Sequence, residues 1–392
     1  MTAQAQQLRH YDKQDVSRTQ HQVCTRCIMD TRADPAIRFD SNGICHHCTR
    51  YDDLVSTRVI RGAKGRAALK ELVDRIKADG KGREYDCIIG ISGGVDSTYV
   101  AYLVKQYGLR PLAIHFDNGW NSELAVSNIE GVLRKLEIDL YTYVVDWEEF
   151  RALQLSFLKA STPDGEVPTD HAISALLWRE ASKRGIKYIV SGMNFATESI
   201  SVPSWSYGHS DWRYLKDVHR RFSDVKLKTY PRFSLPYLAY VNFIRGVRVV
   251  SILNYVDYHK EEAKEILRRE LGWKNYGGKH HESIYTRFYQ GYVLPRKFGV
   301  DKRYGHLSDL INAGQISRAD ALLEMQLPPY PEALQQQDLV YVAKKLGLSV
   351  EQFNRLMRSE VKSFTDYRNM FGVVQKLRGA VNVLRKHHLY PR

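Results

Sequence analysis

The chain has 392 residues, is 43% hydrophobic and carries a formal charge of +14. That length and apolar content support a sizeable core split over two or three domains, which excludes a disordered or fibrous protein. No run approaches the ~20 apolar residues of a membrane span, and residues 1–22 lack an apolar signal core, so the sequence reads as a cytoplasmic protein with anionic partners such as nucleotides, sugar nucleotides or nucleic acid.

In chain order, residues 1–22 read as a disordered polar tail. Residues 23–62 read as a compact unit built on Cys24-x2-Cys27 and Cys45-x2-Cys48, the ribbon spacing of four thiolates around one Zn²⁺. Asp34-Pro35 and Asn42-Gly43 supply its turns. An iron–sulfur cluster or reduced thiols are the alternatives. Four thiolates close the coordination sphere, so the expected role is structural and remote from the chemistry, with His46 and His47 as bystanders.

Residues 63–275 read as an α/β domain. After a polar helix at 66–78, strands at 86–91, 111–116, 139–145 and 187–192 alternate with helices at 96–107, 122–136 and 170–184. That alternation predicts a parallel sheet with crossover helices on both faces and ligands at the carboxyl ends of its strands. A charged amphipathic helix follows at 257–271. Residues 276–392 read as a helical appendage, with starts at Ser317 and Ser349 marked by the capping-box pattern and a basic amphipathic helix at the C-terminus.

The sharpest motif is Ser92-Gly93-Gly94-Val95-Asp96-Ser97, between the first strand and its helix. Glycines, two serine hydroxyls and the unpaired N–H groups of a helix start form a cradle for phosphate or pyrophosphate, and Asp96 is placed for Mg²⁺. No lysine enters the turn, so this is not a Walker loop, and simple γ-phosphate hydrolysis is disfavoured.

The string resembles the fingerprint of the PP-loop ATP pyrophosphatases, which activate a carbonyl oxygen with AMP and release pyrophosphate. The resemblance implies ATP and Mg²⁺ as cofactors, Asp117 in "AIHFDNG" beside the adenosine, Gly192 at the nucleotide, and Glu198 in "YIVSGMNFATES" as a second Mg²⁺ ligand. Longer stretches, including "CTRCIMDT", "PTDHAISALLWREASKRGIKYIVSGMNFATES" and "YGGKHHESIYTRFYQGYVLPRKFGVDKR", resemble the N-acetyl sugar amidotransferases of the WbpG and PseA type. By that resemblance the chain converts an acetamido group of a sugar, such as a UDP-linked diacetamido uronic acid, to an acetamidino group in lipopolysaccharide O-antigen biosynthesis.

Residues 205–305 hold 20 Lys/Arg against 10 Asp/Glu. Within them Lys279, Lys302 and Arg303 are candidates to close over the pyrophosphate, Lys279 and Lys302 with catalytic roles, against the alternative of a solvated basic face. "SWSYGHSDWRYLKDVHRRF" (204–222) interleaves aromatics with Arg213, Lys216 and Arg220, which suits a uridine and a diphosphate, suits RNA, or is a core face with a basic rim.

A glutaminase needs a nucleophilic cysteine. Beyond the four paired cysteines only Cys87 remains, inside an apolar strand, so this chain is expected to lack a glutaminase of its own and to take ammonia from a partner. The amidotransferase resemblance implies that this partner is a class I glutaminase of the imidazole-glycerol-phosphate synthase type, with a barrel subunit. A PP-loop tRNA-modifying enzyme of lysidine or thiolation type is the alternative reading, and a non-catalytic zinc-ribbon RNA-binding module is a third.

Overall fold

The computed structural model describes residues 21–278 and 281–376. The expected tail, Lys279 and most of the C-terminal basic segment lie outside the described residues.

The apolar runs form a five-stranded parallel sheet. Its strands are β1 Cys87–Gly90, β2 Pro111–Asp117, β3 Asp139–Val144, β4 Tyr188–Ser191 and β5 Arg248–Ser251, in the order β3-β2-β1-β4-β5. The central β1 and β2 are continuous apolar runs because both their faces are covered, whereas β3, at an edge, exposes alternate residues. The fifth strand is an addition to the sequence reading. Its Val249 and Val250 pair with Ile189 and Val190, but four residues at an edge leave little pattern to detect.

The expected crossovers are α3 Val95–Gln106, α4 Glu123–Leu136 and α6 Val167–Arg184, preceded by α1 His46–Arg58 and α2 Gly62–Asp79. Helices that were not anticipated include α5 Trp147–Ala160 and α7 Trp212–Phe222. Both start on an aspartate, Asp146 and Asp211, whose carboxylate accepts from the N–H three residues on. The charged segment after residue 257 forms α8 Lys260–Ile266 and runs on as a π-helical stretch to Leu271. Next come α9 Ile284–Phe288, continued by a π-helical stretch Tyr289–Phe298, then α10 Arg303–Asn312, α11 Arg318–Gln326, α12 Glu332–Lys345 and α13 Val350–Met357. Ser317 and Ser349 cap α11 and α13 as expected, the latter with a full capping box.

The C-terminal helices are more than an appendage. One apolar cluster joins Ile88, Ile114 and Phe116 of the sheet to Phe150 and Phe157 of α5, to the four paired cysteines, and to Phe288, Leu294, Val342 and Phe353. A second covers the other face with Ile89, Val104, Leu133 and Leu267. Strand order reverses between β1 and β4, and the crevice at the carboxyl ends of these two strands is where such sheets bind ligands.

Candidate active site

The turn after β1 is fixed by its own side chains. Ser92 Oγ accepts from the Gly94 N–H at 3.3 Å, Ser97 Oγ accepts from the Ser92 N–H at 3.3 Å, and the two hydroxyls lie 3.2 Å apart. Gly93 has φ +82°, and a Cβ there would come 2.8 Å from the carbonyl oxygen of Ala125, so both backbone sign and space demand glycine. Trp273 donates from its indole N–H to the Gly93 carbonyl at 3.0 Å, and Tyr276 Oη accepts from the Val95 N–H at 3.1 Å. The turn thus opens at the N-terminus of α3 with Ser92 exposed.

Asp96 lies in the first turn of α3. Its carboxylate accepts from the Tyr258 hydroxyl. Burial, followed by the charges of Asp96 and Glu198, pushes that phenol far above its ordinary value, which puts both carboxylates within electrostatic reach of one tyrosine. On the β4 side, a Cβ on Gly192 would come 3.1 Å from the Asp96 carbonyl carbon, so this glycine lets the two loops touch. The sequence reading omits Tyr258, which carries no motif. Oxygen donors from two carboxylates and a phosphate-type turn make a set suited to a hard cation.

Glu198 sits in a loop held from afar. Phe195 N–H donates to Asn254 at 3.0 Å, Tyr51 Oη donates to the Ala196 carbonyl at 3.3 Å, and Arg50 donates to the Ser199 carbonyl at 2.8 Å. Asp309 of α10, 2% exposed, accepts from the Ser199 N–H and hydroxyl and from the Ile200 N–H at 2.9, 2.6 and 2.9 Å.

Tyr51 and Arg50 belong to α1, which starts directly after Cys45, so the cysteine unit is not remote from this loop. All four thiols are fully buried, with Sγ separations of 3.9 Å for Cys24–Cys48 and 3.7 Å for both Cys27–Cys45 and Cys45–Cys48. A tetrahedron with ~2.3 Å zinc–sulfur bonds has edges of about 3.8 Å, so these residues fit Zn²⁺. Backbone N–H groups of Cys27 and Cys45 point at Cys24 Sγ, as thiolates require. His47 is paired with buried Asp34 at 2.8 Å, and His46 accepts from the Arg38 N–H. Arg318 of α11 donates to the carbonyls of Cys27 and Cys24, and Ile28 packs on Leu307 and Leu310, which ties the unit to the C-terminal helices.

The remaining candidates are distributed as follows. Asp117 accepts from the Gly119 N–H at 2.8 Å and closes its own turn at the end of β2. Lys302 reaches Glu166 at 3.6 Å, within a separate polar cluster. Arg303 does not stand free for pyrophosphate, because its guanidinium is engaged by Asp301 and donates to the carbonyls of Glu324 and Leu327, capping the end of α11. Arg213, Lys216 and Arg220 form the exposed face of α7 while Tyr214, Leu215 and Val218 are buried, the core-with-basic-rim arrangement. Burial pushes the Cys87 thiol up, consistent with an inert strand residue.

Residues 282–378 match the family model described as LPS biosynthesis protein WbpG-like, C-terminal domain. This segment supplies Glu282, whose carboxylate oxygen would lie 3.3 Å from a Cβ on Gly94, and Asp309, which braces the Glu198 loop. Among solved structures, NMN synthetase from Francisella tularensis aligns at 15% identity over 74% of this chain and 98% of its own, with a TM-score of 0.37. The NH3-dependent NAD synthetase from Campylobacter jejuni aligns at 15% identity over 34% of this chain and 58% of its own, TM-score 0.27. A predicted subunit of tRNA methyltransferase from Methanocaldococcus jannaschii aligns at 11% identity over 47% and 75%, TM-score 0.28. No curated protein matches. No helix among the described residues is long and apolar enough to cross a membrane.

Proposed function

We propose that the chain is an ATP-dependent, AMP-forming amidotransferase that converts an acetamido group of a sugar to an acetamidino group. The observation that carries this reading is the convergence of a lysine-free glycine turn at a helix N-terminus with two carboxylates, Asp96 and Glu198, around Tyr258. An acetamide oxygen leaves poorly, so ammonia does not displace it unaided; transfer of AMP to that oxygen makes AMP the leaving group. The turn from Ser92 to Ser97 would hold the departing pyrophosphate, and Asp96 and Glu198 would hold Mg²⁺, which would supply charge neutralisation on the phosphates. The WbpG-like domain favours a UDP-linked diacetamido uronic acid of lipopolysaccharide O-antigen assembly as the substrate. Ammonia comes from a separate class I glutaminase, since Cys87 is buried and the other four cysteines converge on one point.

The test is an assay of AMP and pyrophosphate release with ammonium as nitrogen donor, comparing UDP-linked diacetamido uronic acids, a nonulosonic acid and tRNA. AMP formed only with an acetamido sugar is the expected result. ADP as product, or AMP formed only with tRNA, overturns it.

A further inference from the structure

A second group of ionisable side chains gathers at the same edge of the sheet, in the loop before α6 and its first turn. His209 Nε2 lies 2.8 Å from Asp164 and 3.4 Å from Asp170, and Lys302 lies 3.6 Å from Glu166. Ser206 donates to Asp164 at 2.5 Å, and Gln290 donates to Glu166 at 2.7 Å. Asp164 and Glu166 are buried, at 5% and 8% exposure. The loop carrying them is rigid: Tyr289 Oη donates to the Pro163 carbonyl at 3.2 Å, and Gly165 leaves room for the Tyr289 ring, which a Cβ would meet at 2.5 Å.

Tyr285 is the second observation. It is 2% exposed, and its hydroxyl has no hydrogen-bond partner among the described residues. Its ring lies 5.7 Å from that of Tyr289, whose hydroxyl bonds the Pro163 carbonyl beside Asp164, and burial, then the charges of Glu166 and Asp164, push the Tyr285 phenol up. A buried hydroxyl without a partner costs about 1–3 kcal/mol, so something outside the chain is expected to meet it.

The cluster borders the nucleotide turn. Asn118, at the end of β2, donates to Thr169 beside Asp170 at 3.3 Å. The segment from Glu282 to Tyr285 runs along residues 120–122, with Ser122 N–H on the Glu282 carbonyl and Ile284 N–H on the Trp120 carbonyl, both at 2.8 Å. Glu282 faces Gly94, and Tyr285, in the first turn of α9, follows three positions later, so the two Cα atoms lie at most about 10 Å apart.

We propose that this cluster seats the nitrogen nucleophile: an ammonium ion bound by the Asp164, Glu166 and Asp170 carboxylates and the Tyr285 hydroxyl, and deprotonated there. The proposal rests on the amidotransferase reading. Three carboxylates against His209 and Lys302 leave one negative charge over, which a monovalent cation balances. Two resident cations repel a divalent ion. Ammonium brings four N–H donors to a site rich in oxygen acceptors.

The protons balance as follows. Ammonium gives one proton to a carboxylate and becomes ammonia, whose lone pair forms the new C–N bond at the adenylated acetamide carbon. The adduct loses one further proton to the cluster, and the C–O bond to AMP breaks with its electron pair leaving on AMP. The organic product is an amidinium. Asp170 is suited to accept protons because its side chain, 48% exposed and 3.4 Å from His209, can pass them on to water.

The experiment uses the full chain and two conservative variants, Tyr285→Phe and Asp170→Asn. Thermal midpoints are measured in ammonium, potassium and tetramethylammonium chloride at equal ionic strength, and KM for ammonium and for ATP are measured in the AMP-forming assay. Ammonium is expected to raise the wild-type midpoint above both other salts, with the increment lost in each variant. KM for ammonium is expected to rise about tenfold, the scale of a lost charge-assisted hydrogen bond, with KM for ATP unchanged. A purely structural tyrosine gives the opposite outcome, since removing an unpartnered hydroxyl leaves both midpoint and KM alone. Equal responses to potassium and ammonium, or no wild-type response, overturn the seat. If no sugar yields AMP while the ammonium increment persists and vanishes in the variants, the seat stands and the amidotransferase reading falls.

Discussion

The turn at Ser92–Ser97 and the loop at Asn194–Ile200 face one crevice and carry the two carboxylates proposed to act together, yet they are held in opposite ways. The turn is closed by bonds among Ser92, Gly94 and Ser97, all within five positions in the chain. The loop's local bonds of comparable kind all involve Asn194, which accepts from the Thr197 N–H at 2.9 Å and from the Thr197 hydroxyl at 3.1 Å. Its other restraints come from Tyr51 and Arg50 of α1, Asn254 after β5, and Asp309 of α10. A site can therefore place one acid by local turn chemistry and its mate by tertiary assembly, and the two acids should respond differently to damage far away.

The largest expected effect treats the acids alike. Asp96→Asn and Glu198→Gln each remove one charge from the pair around Tyr258, and AMP formation should fall by roughly 10²–10³, with circular dichroism and thermal midpoint little changed. Turnover near wild type in either variant breaks the comparison at its root, because the two segments would then not serve one metal.

Removing zinc separates them. The protein should purify with one zinc per chain, measurable by elemental analysis, on the four thiols that lie within 4.8 Å of one another. Stripping it should loosen α1 and with it the contacts of Tyr51 and Arg50 to the Glu198 loop, while the turn at Ser92 keeps its own bonds. The expected signature is a lowered thermal midpoint and a Mg²⁺ requirement shifted upward by about tenfold, both restored by Zn²⁺. A folded, zinc-free protein with unchanged Mg²⁺ dependence would show that the unit does not brace the loop.

This contrast also explains what the sequence revealed. Ser92-Gly93-Gly94-Val95-Asp96-Ser97 is legible because φ +82° at Gly93 and the serine bonds are short-range demands written in adjacent letters. The cysteine spacing is legible for the same reason, and so are β1, β2 and the caps at Ser317 and Ser349. Tyr258, Asp309 and Tyr285 were not legible, since each acts on a partner more than a hundred residues away or on no partner among the described residues. Lys302 and Arg303 show the converse. A basic pair invites an anion, and the acidic partners they meet in the fold, Glu166 and Asp301, are not legible from the pair itself.

Asp309→Asn is the next test in size. The carboxylate accepts three bonds from the backbone and hydroxyl of Ser199 and Ile200, and an amide in the same pose turns a donor toward donors. A loss of about 2–4 kcal/mol in stability is expected, with a rise in the Mg²⁺ requirement smaller than that from zinc removal. Denaturant unfolding and a Mg²⁺ titration of AMP formation read the two effects separately.

The smallest effect belongs to a residue inside the motif itself. Ser92 is exposed, its hydroxyl is neutral, and in Ser92→Ala the Gly94 N–H that it serves at 3.3 Å can turn to water. One such bond is worth about 1 kcal/mol, so AMP formation should drop about fivefold, with no change in stability and none in Mg²⁺ dependence. The comparison thus makes an ordering that motif reading alone would reverse: Asp309→Asn, far from the turn, should shift the Mg²⁺ requirement, and Ser92→Ala, in the turn, should not. Parallel Mg²⁺ titrations of the two variants decide it. If Ser92→Ala moves the Mg²⁺ midpoint and Asp309→Asn leaves it in place, the metal is held from the turn alone, and the distant restraints on the Glu198 loop serve stability without serving the site.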